Sequence, residues 1–209
     1  LRVLLPTPLT IAVPTTAGTG SEATLAAVIT DPEKKHKYPI NDFSLIPRYA
    51  VLDYRVTLGL PPQVTASTGM DVLAHCVEAI TNKNYNPYGY VFGKEGIKLT
   101  MKWLPVAVRE PQNAQAREKM AFAANVGGMA ISACGCSIGH SFAQTFGAMN
   151  HIPHGLGCAW GLPGVMVYTA QYGERSNLEE VAEAMGVPFN QNTDTMELAE
   201  RLAQAVIQL

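Results

Sequence analysis

The sequence predicts an α/β portion at the N-terminus followed by an all-helical domain, and two observations support this division. Up to about Leu60, short runs of β-branched and apolar residues are interrupted by turns, which is typical of strands. From Pro61 onward, apolar residues recur at helical spacing over much longer segments. The predicted boundaries in this 209-residue chain are therefore 1–60 for the α/β portion and 61–209 for the helical domain.

The predicted strands are short and lie between turns. They are the stretches LTIAV, LAAVIT and YAVLDY. The segment EKKHKY follows the second stretch and carries Lys34, Lys35 and Lys37. A solvated hairpin tip is the default interpretation of these lysines, and contact with an anion is the alternative.

The predicted helices differ in how deeply they are buried. The segment VTASTGMDVLAHCVEAI is apolar on nearly every side, which indicates a buried helix. AREKMAFAANVGGMAISA and GLGCAWGLPGVMVYTA are similar, and Gly127 and Gly128 allow close helix packing. NLEEVAEAMG and TMELAERLAQAVIQL are amphipathic. Asn177 is the predicted N-cap of the first, and Thr193 or Asp194 that of the second.

Composition argues against two classes of partner and favours a third. The net charge is -2 and no run of Lys and Arg forms a basic stripe, which argues against nucleic acid. No apolar run reaches the roughly 18 residues that span a bilayer, so no membrane partner is expected. Charged residues make up 15% of the chain, against the usual figure of about 25%. This deficit predicts a surface covered by another domain or subunit, as in a homodimer or larger homo-oligomer.

The first residues and the cysteines indicate a cytoplasmic protein. The chain begins without Met, and prolines break its first segment too often for a signal-peptide core, so an internal piece of a longer protein is expected. The four cysteines show neither CxxC spacing nor the density of a disulfide scaffold. We interpret them as small buried thiols in a reducing cytoplasm.

The stretch PTTAGTGSEAT, from Pro14 to Thr24, is the first that suggests chemistry. Its small residues leave backbone N–H groups open, and its threonines and serine add hydroxyl donors. Such a loop can hold a phosphate or a sugar through main-chain amides. It does not match the GxGxxG fingerprint, and taken alone it is as compatible with an ordinary glycine-rich turn.

Asp71 and His75 are four residues apart, so both side chains leave the same face of a helix, with Glu78 on that face as well. Burying either side chain without a partner is costly, and a mutual hydrogen bond is the simple solution. His140 and His154, in the window GHSFAQTFGAMNHIPHG, extend the set to one Asp and three His. This donor set suits a divalent metal such as Fe(II) or Zn(II).

Together, these motifs resemble the iron-containing (group III) alcohol dehydrogenase family, in the family's order and spacing along nearly the whole chain. The segments that carry the resemblance are PTTAGTGSEAT, VITD, KKHK, LPPQVTASTGMDVLAHCVEA and GHSFAQTFGAMNHIPHG. The resemblance implies a dehydroquinate synthase-like fold. Residues 1–60 would be the C-terminal part of an incomplete nucleotide-binding domain, and 61–209 the metal-binding catalytic domain, shortened at its end.

The resemblance also implies site residues. The family's four metal ligands fall on Asp71, His75, His140 and His154, with Fe(II) as the expected ion and Zn(II) as the alternative. NAD or NADP is the expected cofactor. Its contacts fall on Thr15, Thr16, Ala17, Gly18, Thr19, Val28 and Lys37. His36 and His151 match no ligand position.

Two departures from the family pattern follow from the same comparison. Gln144, the candidate catalytic residue, takes the place of the family's usual histidine and cannot accept a proton near neutral pH. The glycine-serine phosphate loop that precedes these motifs in the family is absent from the printed sequence. We therefore expect the chain alone to bind the cofactor weakly.

The implied activity is an NAD(P)-linked, metal-dependent interconversion of an alcohol with an aldehyde or ketone by hydride transfer. The substrate would be a small alcohol or aldehyde. Two alternatives remain: a metal-dependent hydrolase or lyase that uses the same Asp/His set on bound water, and a non-catalytic fragment that only binds metal.

Overall fold

The computed structural model describes residues 7–209, and two small sheets precede the first long helix. The first sheet is a parallel pair of strands, and the second is an antiparallel hairpin in which Asp31 lies opposite His36. The strands are β1 (Ile11–Ala12), β2 (Ala26–Asp31), β3 (His36–Asn41) and β4 (Tyr49–Ala50). Residues 1–6 of the predicted α/β portion lie outside the described residues. The two outer stretches form much shorter strands than predicted.

The hairpin between β2 and β3 ends in the lysine-rich segment. Asp31 Oδ1 accepts hydrogen bonds from the backbone N–H groups of Glu33 and Lys34, at 3.1 and 3.0 Å. Lys35 adopts a left-handed conformation with a φ of 49°, which closes the turn. Lys34 and Lys35 are exposed. The predicted solvated hairpin tip is confirmed for Lys34 and Lys35, whereas Lys37 is half-buried.

Seven helices follow. They are α1 (Pro62–Thr81), α2 (Pro87–Arg109), α3 (Ala114–Cys134), α4 (Ile138–Asn150), α5 (His154–Tyr172), α6 (Arg175–Met185) and α7 (Thr195–Gln208). No single helix among residues 7–209 is long and apolar enough to cross a bilayer; only α3 and α4 together pass such a test, and they are bent by 107°. The predicted order, an α/β portion and then helices, is confirmed.

Helix α1 lies at the centre of the core and packs against α2, α3 and α5. The side chains of Val72, Leu73 and Ile80 are fully buried, as the apolar sequence of this helix predicts. Gly93 and Gly96 of α2 face Cys76 and Ile80 so closely that a Cβ at either glycine would crowd them. Glycine therefore brings α2 within close reach of α1.

The helix ends test the predicted caps. Asp194 caps α7, with its Oδ1 accepting from the N–H groups of Met196 and Glu197, so this prediction is confirmed. The predicted cap at Asn177 is wrong, because α6 already begins at Arg175. The Asn177 side chain instead accepts a 2.6 Å hydrogen bond from the hydroxyl of Tyr90 on α2.

The connection between α4 and α5 positions the site. His151 ends α4 in a left-handed conformation with a φ of 56°, and α5 begins at His154. The two helices pack against each other, and α5 also packs along α1. At the start of α5, Gly155 touches the backbone of Ser67 in α1, and a Cβ there would overlap the Ser67 carbonyl. This contact fixes the start of α5 beside the polar face of α1.

Candidate metal centre

Three imidazoles surround one carboxylate oxygen. The distances from Asp71 Oδ1 to the Nε2 atoms of His75, His140 and His154 are 3.7, 3.6 and 3.6 Å. Asp71 and His75 lie one turn apart on α1, His140 is in the first turn of α4, and His154 is the first residue of α5. The structure thus brings together the four side chains that the sequence analysis assigns to metal.

Several polar atoms in this cluster are buried without a hydrogen-bond partner. Asp71 is 2% exposed and His140 is 4% exposed. Within residues 7–209, Asp71 Oδ1 and His140 Nε2 find no hydrogen-bond partner, and their 3.6 Å separation is too long for a hydrogen bond between them. Buried polar atoms are rarely left in this state, because their desolvation is uncompensated. A cation between them would satisfy both.

The spacing fits a shared ion. Nitrogen and oxygen ligands lie about 2.0–2.2 Å from zinc, so two of them on a tetrahedral ion are roughly 3.4 Å apart. The observed distances from Asp71 Oδ1 to the three histidines, 3.6–3.7 Å, are close to this value. The rings of His75 and His140 also stack, with centroids 4.7 Å apart and an interplanar angle of 16°. One carboxylate and neutral imidazoles form a donor set suited to Fe(II) or Zn(II).

The electrostatics of the cluster favour the metal-binding protonation state of three of the four side chains. Burial would raise the pKa of Asp71, but attraction to His75, His140 and His154 outweighs burial, and the net result is a lowered pKa. Burial lowers the pKa of His75 to about 4, and it lowers the pKa of His154 as well. The pKa of His140 shifts the other way: burial would lower it, but the Asp71 carboxylate beside the ring raises it well above its ordinary value. His140 must therefore release a proton before it binds a cation, whereas Asp71, His75 and His154 are already in the form that does so.

Glu78 of α1 contacts His140 and the start of α4. Its side chain is fully buried and accepts hydrogen bonds from the backbone N–H groups of Ser137 and His140, the latter at 2.9 Å. These groups belong to the first turn of α4, where a carboxylate is favourable because the N–H groups there lack helix partners. Glu78 Oε2 also lies 3.1 Å from His140 Nδ1. This contact does not have hydrogen-bond geometry, so Glu78 supports the imidazole through its charge and through its hydrogen bonds to the start of α4.

Two thiols also border the cluster. Cys158 Sγ lies 3.6 Å from His154 Nε2, and Cys136 lies in a group with Glu78 and His140. All four cysteines are free; Cys76, Cys134 and Cys158 are buried as predicted, whereas Cys136 is exposed, so the prediction of a buried thiol is wrong there. The four-residue spacing of His154 and Cys158 could have predicted that the two side chains lie on one face of a helix. No sequence spacing relates Cys136 to Glu78, because Glu78 lies on α1 and Cys136 lies in the connection between α3 and α4.

The metal cluster opens into a cleft of about 450 Å³ between the hairpin and the helices. Three of the predicted cofactor contacts, Thr19, Val28 and Lys37, line this cleft together with Gln144. Gln144 lies one turn after His140 on α4 and is half-buried. The cleft is also lined by Asp71, His75, His140, His154, Cys136 and Ile131, and by Ser21, Thr24, Ala26 and Thr30.

The other predicted cofactor contacts lie away from the cleft wall. Ala17 and Gly18 are buried, and a Cβ at Gly18 would overlap Thr68 of α1. Thr15 is exposed and Thr16 is half-buried. The loop therefore packs on α1 before it reaches the cleft at Thr19. Cofactor contacts at residues 15–18 stay a prediction.

The comparisons with known proteins agree with this site. The model of the "Fe-containing alcohol dehydrogenase family, C-terminal" matches residues 65–209, and that of "Iron-containing alcohol dehydrogenase" matches residues 3–54. The chain belongs to the iron-containing alcohol dehydrogenase family. The resemblance drawn from the sequence motifs is confirmed.

Named relatives and solved structures extend the match. The chain is 41% identical over 160 residues to 1-propanol dehydrogenase of Salmonella typhimurium, covering 77% of this chain and 43% of the relative. It is 36% identical over 207 residues to 1,3-propanediol dehydrogenase of Klebsiella pneumoniae, covering 98% of this chain and 52% of the relative.

Alcohol dehydrogenase from Oenococcus oeni matches with a TM-score of 0.90 and 35% identity, covering 99% of this chain and 53% of that one. Sulfoacetaldehyde reductase from Bifidobacterium kashiwanohense, in complex with NAD+, matches with a TM-score of 0.80 and 34% identity. This match covers 95% of this chain and 51% of that one. The chain thus spans about half the length of the relatives it matches. The predicted fold class, an α/β portion followed by a helical metal-binding domain of the dehydroquinate synthase-like type, is confirmed.

Proposed function

We propose that this protein takes part in the metal-dependent, NAD-linked interconversion of a small alcohol with its aldehyde or ketone. The observation that carries the proposal is the cluster of one carboxylate and three imidazoles at the base of an open cleft. The relatives named for 1-propanol and 1,3-propanediol support small aliphatic alcohols as the substrate class. They favour a dehydrogenase over a metal-dependent hydrolase or lyase with the same ligands.

Asp71, His75, His140 and His154 would hold the ion. Iron is the proposed ion, with zinc as the alternative that the same ligand set also accepts. When bound, such an ion supplies Lewis acidity that lowers the pKa of an alcohol. Asp71 contributes the negative charge of the ligand set, while the neutral imidazoles add no charge.

The remaining cleft residues orient reactants. Lys37 is half-buried at the cleft wall, where its positive charge attracts the phosphates of a nicotinamide dinucleotide. Thr19 offers a hydroxyl and Val28 an apolar surface on the same wall. Gln144 can hydrogen-bond to a reactant but cannot take up its proton. The proton of the alcohol must therefore leave by another group or by water. Cytoplasmic location, a homodimer or larger assembly, and the choice of NAD over NADP belong to the same proposal.

Metal content and activity test the proposal together. Protein prepared with Fe(II) is expected to contain close to one ion per chain. It is expected to reduce NAD with 1-propanol when NAD is supplied in large excess, which offsets the weak cofactor binding expected of this chain. His154→Ala should remove most of the metal and the activity, because His154 Nε2 lies 3.6 Å from Asp71 Oδ1. His151→Ala is the matched control, since the exposed His151 lies three residues away and ends α4. Equal metal loss from both variants would contradict the assignment.

A further inference from the structure

Residues 19–24, which we call the cleft loop, face the cleft on one side and helix α3 on the other. The residues that line the cleft are Thr19, Ser21 and Thr24. The residues that contact α3 are Gly20, Glu22 and Ala23. The position of the first group therefore depends on what holds the second group on α3.

Glu22 is a buried carboxylate that the proposed reaction does not use. It is 4% exposed, and its Oε1 accepts a 3.1 Å hydrogen bond from Nδ2 of Asn125, which is 6% exposed. The two residues lie 103 positions apart in the sequence. Burying a carboxylate or a carboxamide without a partner is costly, so each of these side chains depends on the other.

Asn125, Gly128 and Ser132 form the face of α3 that holds the cleft loop. They are three and four residues apart, so they lie on one side of the helix. Gly128 packs so closely on Gly20 that a Cβ on either residue would overlap the backbone of the other. Ser132 Oγ donates a 3.0 Å hydrogen bond to the carbonyl of Ala23. Three contacts thus hold the cleft loop along two turns of α3.

The same part of α3 also packs against the helix that carries two of the proposed metal ligands. Gly127 faces α1, and a Cβ there would lie 3.7 Å from the Cβ of His75. Its neighbour Gly128 contacts the cleft loop, so one turn of α3 separates His75 from that loop. The attachment of the loop to α3 therefore sets its distance from the metal cluster.

We propose that Glu22 is a positioning residue for the nicotinamide cofactor, and that its hydrogen bond with Asn125 holds the cleft loop at the distance from the metal cluster that hydride transfer requires. The inference rests on the proposed function, because it concerns the cofactor of that reaction. Glu22 contacts α3, so it acts through Thr19 and Ser21, which line the cleft. Displacement of these residues should impair cofactor binding, since reactants must be held in close and correct geometry.

Exchange of donor and acceptor tests the proposal, with NADH affinity measured by fluorescence titration of the metal-loaded full chain. Asn125→Asp replaces the donor by a second carboxylate, so NADH should bind about 10-fold more weakly. Adding Glu22→Gln restores a donor opposite an acceptor, and the double variant should bind NADH within about 2-fold of the unaltered chain. Gln115→Glu is the matched control, because it adds the same charge at an exposed position of α3 and should leave the affinity unchanged.

Kinetics and metal content separate positioning from a loss of stability. In Asn125→Asp the KM for NAD should rise, while the KM for 1-propanol and the bound metal should stay unchanged. A loss of folded protein alone would lower the apparent kcat and leave the KM for NAD as it was. If Asn125→Asp does not fold, Asn125→Ala removes the donor without adding a charge and should weaken NADH binding to a similar extent.

The remaining outcomes distinguish this inference from the proposed function. Unchanged NADH affinity in a folded Asn125 variant overturns the positioning role and leaves the proposed function intact. A loss of affinity that the double variant does not recover overturns the positioning role as well. Failure of the unaltered, metal-loaded chain to bind NADH even in large excess overturns this inference together with the proposed function.

Discussion

At the scale of single residues, the position of His140 depends on Glu78. Glu78→Gln keeps the size of this buried side chain and removes its charge, so the His140 ring loses the support of that charge. Loss of such a supporting carboxylate typically lowers metal affinity by about 10–100-fold. Competition against a chelator of known affinity measures the change.

The control for this substitution is Glu118→Gln, which removes the same charge from an exposed position on α3. Circular dichroism of both variants confirms that the helices remain. Unchanged affinity in folded Glu78→Gln would mean that Glu78 only stabilises the start of α4 and that its charge has no role in supporting His140.

Gln144 leads to a prediction about pH. A histidine in its place would face the cleft with a pKa near its ordinary value of about 6.5, and its neutral form could accept the alcohol proton. Gln144→His is therefore expected to add a rise in the alcohol oxidation rate as the pH increases through that value, with metal content unchanged. Gln171→His, on the exposed surface of α5, is the control and should add no such rise. Superimposable profiles for Gln144→His and the unaltered protein would count against a proton relay at this position.

The residue scale also shows what a sequence can predict of a site. Asp71 and His75 could be paired because helical spacing places both on one face of α1. The closeness of His140 and His154 to that face depends on how α4 and α5 pack. Residue type made them candidates, and the family resemblance assigned them to the same site. The exposure of Cys136 could not be predicted, because it follows from the irregular connection between α3 and α4 and not from residue type.

At the scale of elements, the loop that leads into the cleft depends on two glycines. Gly20 has a left-handed φ of 58° and packs directly on Gly128 of α3, where a Cβ would overlap the Gly20 carbonyl. Gly128→Ala should lower the free energy of unfolding by about 1–3 kcal/mol, because the loop or the helix must shift. Urea denaturation measures the change.

Gly164 provides the contrast within the same molecule. It lies inside α5 with open space around it, so Gly164→Ala should raise the free energy of unfolding by roughly 0.5–1 kcal/mol through helix propensity alone. Similar effects of the two substitutions would show that the contact of Gly20 with Gly128 contributes nothing to stability.

Element boundaries follow from the sequence only where local chemistry determines them. The Asp194 side chain caps α7 by accepting hydrogen bonds from backbone N–H groups two and three residues later, so this cap could be predicted from the sequence. Asn177 is an equally good cap by type, but its side chain bonds to Tyr90 across helices, and tertiary contact decides its role. Helix α2 carries glycines at 89, 93 and 96 that weaken its helical signal, although these glycines are what allow it to pack against α1 and α3.

At the scale of the whole molecule, the proposed ligands join parts of the chain that are distant in sequence. Asp71 and His75 come from α1, His140 from α4 and His154 from α5. The fold class and the order of its parts were predictable, since they depend on periodicity along the chain. The domain boundary at residues 60 and 61 and the homo-oligomeric state stay predictions, because they depend on surfaces that periodicity does not describe.

Because one ion would connect three helices, its removal should destabilise the fold as a unit. A ligand present at 100 times its Kd stabilises the folded state by about 2.7 kcal/mol, and each kcal/mol shifts the Tm of a domain this size by about 2–4 °C. Treatment with a chelator should therefore lower the Tm by roughly 5–10 °C, and added Zn(II) should restore it. Asp71→Asn removes the charge at the centre of the cluster, so its Tm should be the same with and without metal. An equal response of both proteins to the chelator would place the stabilising ion at a site other than the one formed by α1, α4 and α5.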